Sequence, residues 1–306
     1  MSSVSAIAAP LHRPIAGAVV RLASVAVLAL MFALVKLAGQ HGVHLVEAVF
    51  YRQAFALPFV IAWAAIGPGL ASLGTRRIGM HASRMALGLC AMSLNFLGMM
   101  MLPLAEATVI GFTVPLFATM LAALLLKEKV GPWRAGAVTI GFIGILLVIR
   151  PDSAAMASTG ALVALAGAVA TAGVTIFIRQ LGATESAATT VFWFTALSMI
   201  PLSVLMLFFG QLHTPEAWAI LAGVGLTGAI AQLLLTASLR MAPVAVVLPM
   251  DYTGLIWASL AGYLLFSALP APATLMGAPV IIASGLAILW REHTLGKVRE
   301  RNHPGT

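Results

Sequence analysis

A few polar side chains fall inside otherwise apolar stretches of this chain, and their types define the chemistry open to it. Asn95 and Gln232 are amides, each seven residues after a glycine, and they stand 137 positions apart. An amide in hydrocarbon needs a hydrogen-bond partner. The pair either faces one central cavity and bonds a bound solute, or each amide ties two helices together at about 0.6 kcal/mol. Asp251 lies about eight residues into an apolar run, roughly 12 Å deep at 1.5 Å per residue. A carboxylate at that depth is costly and is ordinarily functional. It can hold an ammonium group or carry a coupling proton, and its structural alternative is a salt bridge to Arg52. Pro249 should loosen the helix just before it. Tyr252 and Trp257 add aromatic surface, and Met99 opens a methionine run that is either an adaptable wall or core filler. Arg52 either attracts a substrate carboxylate or serves as a structural charge paired with Asp251 or Glu47.

Other candidates carry less chemistry. Lys36 and Glu47 flank the first outer turn and are expected to pair there. Glu106 opens a helix, where a carboxylate complements the helix dipole. His41 and His44 form an HxxH, short of the three or four ligands a metal site needs. Cys90 is the sole cysteine, so no intrachain disulfide can form. No HExxH, P-loop or paired-aspartate motif occurs, which argues against an enzyme and against direct ATP hydrolysis. No metal or cofactor is expected.

The elements that position these residues are membrane helices. Of 306 residues, 61% are hydrophobic and 8% charged, against about 25% charged in a soluble domain. Ten segments are long enough to span: 17–38, 45–66, 82–102, 106–126, 132–149, 157–179, 187–209, 215–238, 243–266 and 271–290. Open sheets cannot exist in lipid, so the fold is an all-α bundle. With both termini cytoplasmic, 14 of the 17 Lys and Arg fall on the inner side, Arg21, Arg84, Lys127, Lys129 and Arg240 among them. Lys36 and Arg52 lie within helices and Arg150 in an outer loop. That bias predicts an N-in, C-in orientation. The net charge of +8 then reflects loops that meet the inner leaflet, and nucleic acid is excluded as a partner.

The chain also repeats itself. Gly88, Asn95 and Ala105 recur as Gly225, Gln232 and Ala242 at an offset of 137. Gly136, Gly144 and Arg150 recur as Gly277, Gly285 and Arg291 at 141, and Lys36, Gly39 and Pro58 as Arg179, Gly182 and Pro201 at 143. Each copy holds five spans, and an odd number enters the second copy upside down, the plan of alternating-access carriers. The expected organisation is a cytoplasmic segment 1–16, a first five-helix repeat 17–150, a second, inverted one 151–290, and a cytoplasmic tail 291–306. Small residues in the fifth and tenth spans are expected to let those helices pack closely.

The stretch Leu102-Pro103-Leu104-Ala105-Glu106-Ala107 through Pro115, then Leu126-Lys127-Glu128-Lys129 and Gly136, resembles the first half of an EamA-type transporter of the drug/metabolite transporter superfamily. Leu239-Arg240-Met241-Ala242-Pro243-Val244-Ala245 through Gly277 repeats it more loosely. The resemblance covers roughly residues 20–290. It implies a central cavity lined by spans one to four and six to nine, with the fifth and tenth peripheral. It also implies export of small organic metabolites, amino acids foremost, across a bacterial inner membrane, with protons as a candidate coupling ion. Asn95, Gln232, Asp251, Tyr252, Trp257, Arg52 and Met99 are the candidate substrate-binding residues. A facilitator or exchanger of nucleotide-like, cofactor or cationic drug-like metabolites is the alternative. The second half departs from the pattern where Leu265 and Phe266 replace the acid matching Glu128. The chain also lacks the paired acid of the small cationic-drug relatives, which weighs against a proton-coupled polycation carrier. Oligomeric state is left open.

Overall fold

A computed structural model describes residues 13–67, 69–125, 131–149, 155–182, 184–242 and 244–302. The expected anchor Lys127-Glu128-Lys129, the outer-loop Arg150 and most of the N-terminal segment lie outside the described residues. The fold is all-α. In order, the helices are α1 (Pro14–Gln40), α2 (Leu45–Ile66), α3 (Ile78–Met101), α4 (Leu104–Gly111), α5 (Val114–Leu125), α6 (Pro132–Ile149), α7 (Ala155–Gly182), α8 (Ala187–Phe209), α9 (Pro215–Met241), α10 (Val244–Val247), α11 (Gly254–Phe266) and α12 (Pro272–Asn302). A 3₁₀ turn, Leu248–Thr253, joins α10 to α11. Nine stretches among the described residues are long and apolar enough to cross a membrane, α4 and α5 counting together as one.

Local chemistry sets the helix starts. Prolines open α1, α6, α9 and α12, where the missing N–H costs nothing. His44 caps α2 in a reciprocal box with Glu47. Ser186 and Thr214 cap α8 and α9 through their hydroxyls.

The ninth expected span, 243–266, is not a continuous helix. Pro249 has no N–H to give the carbonyl four residues earlier, and the backbone tightens into the 3₁₀ turn that carries Asp251. The fourth span bends at the matching place. There Pro115 cannot bond Gly111, and the buried Thr113 hydroxyl caps the Ile110 carbonyl at 2.6 Å. At the 137 offset, Phe112 and Thr113 correspond to Pro249 and Met250. The two irregular stretches meet, with the Phe112 and Tyr252 rings edge to face at 5.1 Å. Irregular backbone at membrane depth is tolerated where protein buries it.

The packing can be stated as a rule of exchange. α1 packs on α9 and α3 on α7; α2 packs on α9 and α3 on α8; α5 packs on α7 and α1 on α11; α2 packs on α8, α4 on α11 and α6 on α12. Exchanging each span for its counterpart in the other half, α4 and α5 together for α10 and α11, returns these pairs, while α1 on α3 has no equal in the second half among the described residues. α1 and α3 lie side by side with Phe32 against Phe96 and Lys36 against Met99, so they run the same way. α3 and α7 run opposite ways, with Leu87 near Gly173, Asn95 near Gly167 and Leu102 near Gly160. The small residues of α6 and α12 do bring those helices together: Gly277 receives Val148, Gly144 receives Ile281, and Ser284 donates to the Ala137 carbonyl at 2.5 Å.

Two of the arginines expected on the inner side are buried within the bundle. Arg21 is one-and-a-half to two turns into α1 and buried, and Arg84 is nearly two turns into α3 and buried. α3 begins at Ile78, four residues before the expected start, which draws Arg84 inward.

Candidate functional site

A cavity of about 170 Å³ opens between the halves, walled by α2 and α3 on one side and α8 and α9 on the other. Arg52, Arg84, Gln232, Thr195 and Thr236 supply its polar lining, and Phe59, Trp63 and Phe194 its aromatic faces. Two glycines make room for these groups. A Cβ at Gly228 would lie 3.3 Å from Arg52 Cγ, and one at Gly88 would lie 2.8 Å from the Phe194 ring. Phe194 in turn carries the Arg84 guanidinium at 4.0 Å from its centroid. Arg52 Nη1 donates to Gln53 Oε1 at 2.5 Å. Arg52 Nε and Arg84 Nε and Nη1 are buried with no hydrogen-bond partner among the described residues.

Of the residues singled out from the sequence, Arg52 and Gln232 meet in this cavity and the others do not. Asn95 is drawn into the α3–α7 seam, where it donates to Thr171 Oγ1 at 3.0 Å. Asp251 is not paired with Arg52. It takes a two-point contact from Arg21, Nε to Oδ1 at 2.5 Å and Nη2 to Oδ2 at 2.6 Å. Tyr252 packs on Phe112 and on Gly285 of α12. Trp257 is 36% exposed on α11, and Met99 is core. Arg84, Thr195 and Thr236 were missed. The 143 offset offered a signal for one of them, because it maps Arg52 onto Thr195.

Polar links between the halves close the bundle at each end. At one end, Glu47 is fully buried and accepts from His213 Nε2 at 2.7 Å, Gln211 N at 2.9 Å and His44 N at 2.9 Å. It therefore does not pair with Lys36, which donates to the Leu102 carbonyl at 2.7 Å. At the other end, Glu185 accepts from Thr75 Oγ1 at 2.7 Å and lies 4.0 Å from buried His81. Arg77 donates to Thr184 Oγ1 at 2.7 Å, and Trp193 to the Leu73 carbonyl at 2.8 Å. The first set joins the α1–α2 turn to the α8–α9 connection, and the second joins the α2–α3 connection to the α7–α8 connection and the first turns of α8. Exchange of the halves converts one set into the other. His41 and His44 serve the same region as helix-end groups: His44 Nδ1 accepts from Val46 N, and His41 Nδ1 meets the Leu37 carbonyl at 2.9 Å.

A multi-pass helical bundle with a small cavity between matched halves suits a membrane transporter of small molecules. The EamA-like transporter family profile matches residues 15–150 and again 158–290. The chain belongs to that family. It is 25% identical over 243 residues to the pseudopaline exporter CntI of Pseudomonas aeruginosa UCBPP-PA14, covering 79% of this chain and 85% of that one. It is 29% identical to the S-adenosylmethionine uptake transporter of Rickettsia bellii RML369-C, covering 81% and 85%. It is 27% identical to the riboflavin transporter of Vibrio cholerae O1, covering 95% and 98%. A solved crystal structure superposes with a TM-score of 0.57 at 19% identity, over 90% of this chain and 96% of the other, a likeness of fold.

Proposed function

We propose that this protein is a secondary carrier that exports small organic metabolites bearing a carboxylate, amino acids foremost, across a bacterial plasma membrane. Two inverted five-helix repeats with cytoplasmic termini would rock about the cavity and expose it to each side in turn. The observation that carries this reading is the cavity between halves whose end links exchange with each other: a device that opens one set while keeping the other has the two states alternating access needs. The opposite runs of α3 and α7, with α1 parallel to α3, support the inverted arrangement. Arg52 and Gln232 support a solute with a carboxylate.

The test is counterflow of a labelled amino-acid panel in proteoliposomes, with and without a pH gradient. A carrier accumulates label transiently uphill, and a passive facilitator does not. Accumulation of some members is expected, and a pH effect would identify the proton as coupling ion. No counterflow of any member from folded protein would overturn the amino-acid reading. It would favour cofactor-like solutes, toward which the named relatives for S-adenosylmethionine and riboflavin already point.

A further inference from the structure

The charge of the cavity narrows the solute further. Arg21 on α1, Arg52 on α2 and Arg84 on α3 can be compared with one another. Arg21 is buried and meets a carboxylate at two points. Arg84 is 8% exposed and meets an aromatic ring instead, and Arg52 meets a neutral amide. No salt bridge reaches Arg52 or Arg84 among the described residues, and no acidic side chain lines their cavity. The two guanidinium groups line one and the same cavity.

Two like charges held out of water are unfavourable unless a countercharge arrives. Stacking on Phe194 offsets part of this for Arg84, but leaves Nε and Nη1 without acceptors. Guanidinium forks match oxyanions geometrically, carboxylate and phosphate alike. The opposite wall offers Thr195, Thr236 and Gln232, which are neutral hydrogen-bonding groups. An ammonium group would find no carboxylate there. We propose that Arg52 and Arg84 together form the subsite for a doubly negative oxyanion group of the transported metabolite, either a pair of carboxylates or a phosphate. This rests on the cavity being the transport site. It selects acidic metabolites over neutral and cationic ones.

The experiment is thermal unfolding of the purified full-length protein in detergent at fixed ionic strength. The probes are disodium succinate, sodium phosphate, leucine and putrescine dihydrochloride. Succinate or phosphate is expected to raise Tm, and whichever does so identifies the source of the oxyanion. Leucine and putrescine are expected to leave Tm unchanged. R52Q and R84Q are each expected to weaken the effective anion by about tenfold or more, the value of one charge-assisted hydrogen bond. Should both variants fail to fold, mass spectrometry of the wild-type protein decides the matter: succinate or phosphate should shield Arg52 and Arg84 from phenylglyoxal. Absence of any anion shift, an undiminished shift in folded R52Q and R84Q, a larger shift with putrescine, or unshielded arginines would each overturn the assignment. Counterflow of a neutral amino acid without anion binding would sink this inference and leave the carrier standing. Anion binding without counterflow would do the reverse.

Discussion

Removing the Asp251 carboxylate as Asp251→Asn tests whether that residue holds the fold or the solute. The structure places its charge against Arg21, with two hydrogen bonds at 2.5 and 2.6 Å that tie α1 to the irregular ninth span. A hydrogen bond to a charged group contributes about 1.5–3 kcal/mol. The Arg21 side chain is 8% exposed but that of Asp251 is 36% exposed, so water can replace part of what Asp251 loses. The lower end therefore applies, and the pair is expected to couple by about 1.5 kcal/mol, less than a fully enclosed pair. The assay is a double-mutant cycle of R21Q and D251N, read by reversible unfolding in detergent–denaturant mixtures. Each single variant should be destabilised, and the double variant should recover much of the loss because no lone charge remains buried. A coupling below about 0.5 kcal/mol in folded protein would refute the pairing as a stabilising contact. Counterflow adds a second reading: the stable double variant should still transport, since neither residue lines the cavity. Loss of flux with stability retained would return Asp251 to the solute site.

The end links give further expectations. In a Cys90→Ala background, cysteines at Thr75 and Glu185, or at Glu47 and His213, joined by a short thiol crosslinker, should each stop transport, and cleaving the linker should restore it. Glu47→Ala strands His213 and two backbone amides, so a loss of about 3–5 kcal/mol in unfolding free energy is expected, with Glu47→Gln costing less. Gly228→Leu should abolish flux at normal expression, because a Cβ there already meets Met31 Sδ at 3.1 Å and Arg52 Cγ at 3.3 Å. His41 is exposed at the end of α1. Its bond to the Leu37 carbonyl, and then Glu216 at 3.3 Å, raise its pKa above the ordinary 6.5. Its contribution is thus full below that value and lost as pH rises through the raised one. The difference in Tm between wild type and His41→Gln should vanish in alkaline buffer.

Much of the scaffold was legible because it depends on local composition. Apolar run lengths give the spans, the glycine and proline repeats give the two halves, and Pro249 marks the break in the ninth span. The site was harder to read because it depends on which helix faces which. Asn95 and Gln232 occupy matching registers, yet only Gln232 reaches the cavity. Asn95 is taken up by Thr171 on α7. At the 143 offset the residue matching Thr171 on α1 is Leu28, which has no acceptor to hold Gln232 in the corresponding seam. The partner of Asp251 lies 230 positions away, and nothing in the spacing distinguishes Arg21 from Arg52 for that role. Arg84 reads from the sequence only as an inner-side charge, because a helix start misplaced by one turn moves a side chain by about 6 Å along the axis.

The departures from the repeat also bear on how the carrier would work. Arg52 and Arg84 both belong to the first half. Their counterparts, at offsets 143 and 137, are Thr195 and Leu221, neither of them charged. The cavity is thus electrostatically lopsided although the backbone is not: positive charge comes from α2 and α3, and hydroxyl and amide groups come from α8 and α9. On the proposed cycle, an anionic group would travel with the first half while the remainder of the solute is held by the second. A solute that engages both walls contributes binding free energy to the approach of the halves, and one that engages a single wall does not. Moving one charge across, as R52T/T195R, leaves the lining composition unchanged and separates the two guanidiniums onto opposite halves. Binding of succinate should survive that exchange better than its counterflow. Equal loss of both would show that the position of the charge relative to the halves plays no part in transport.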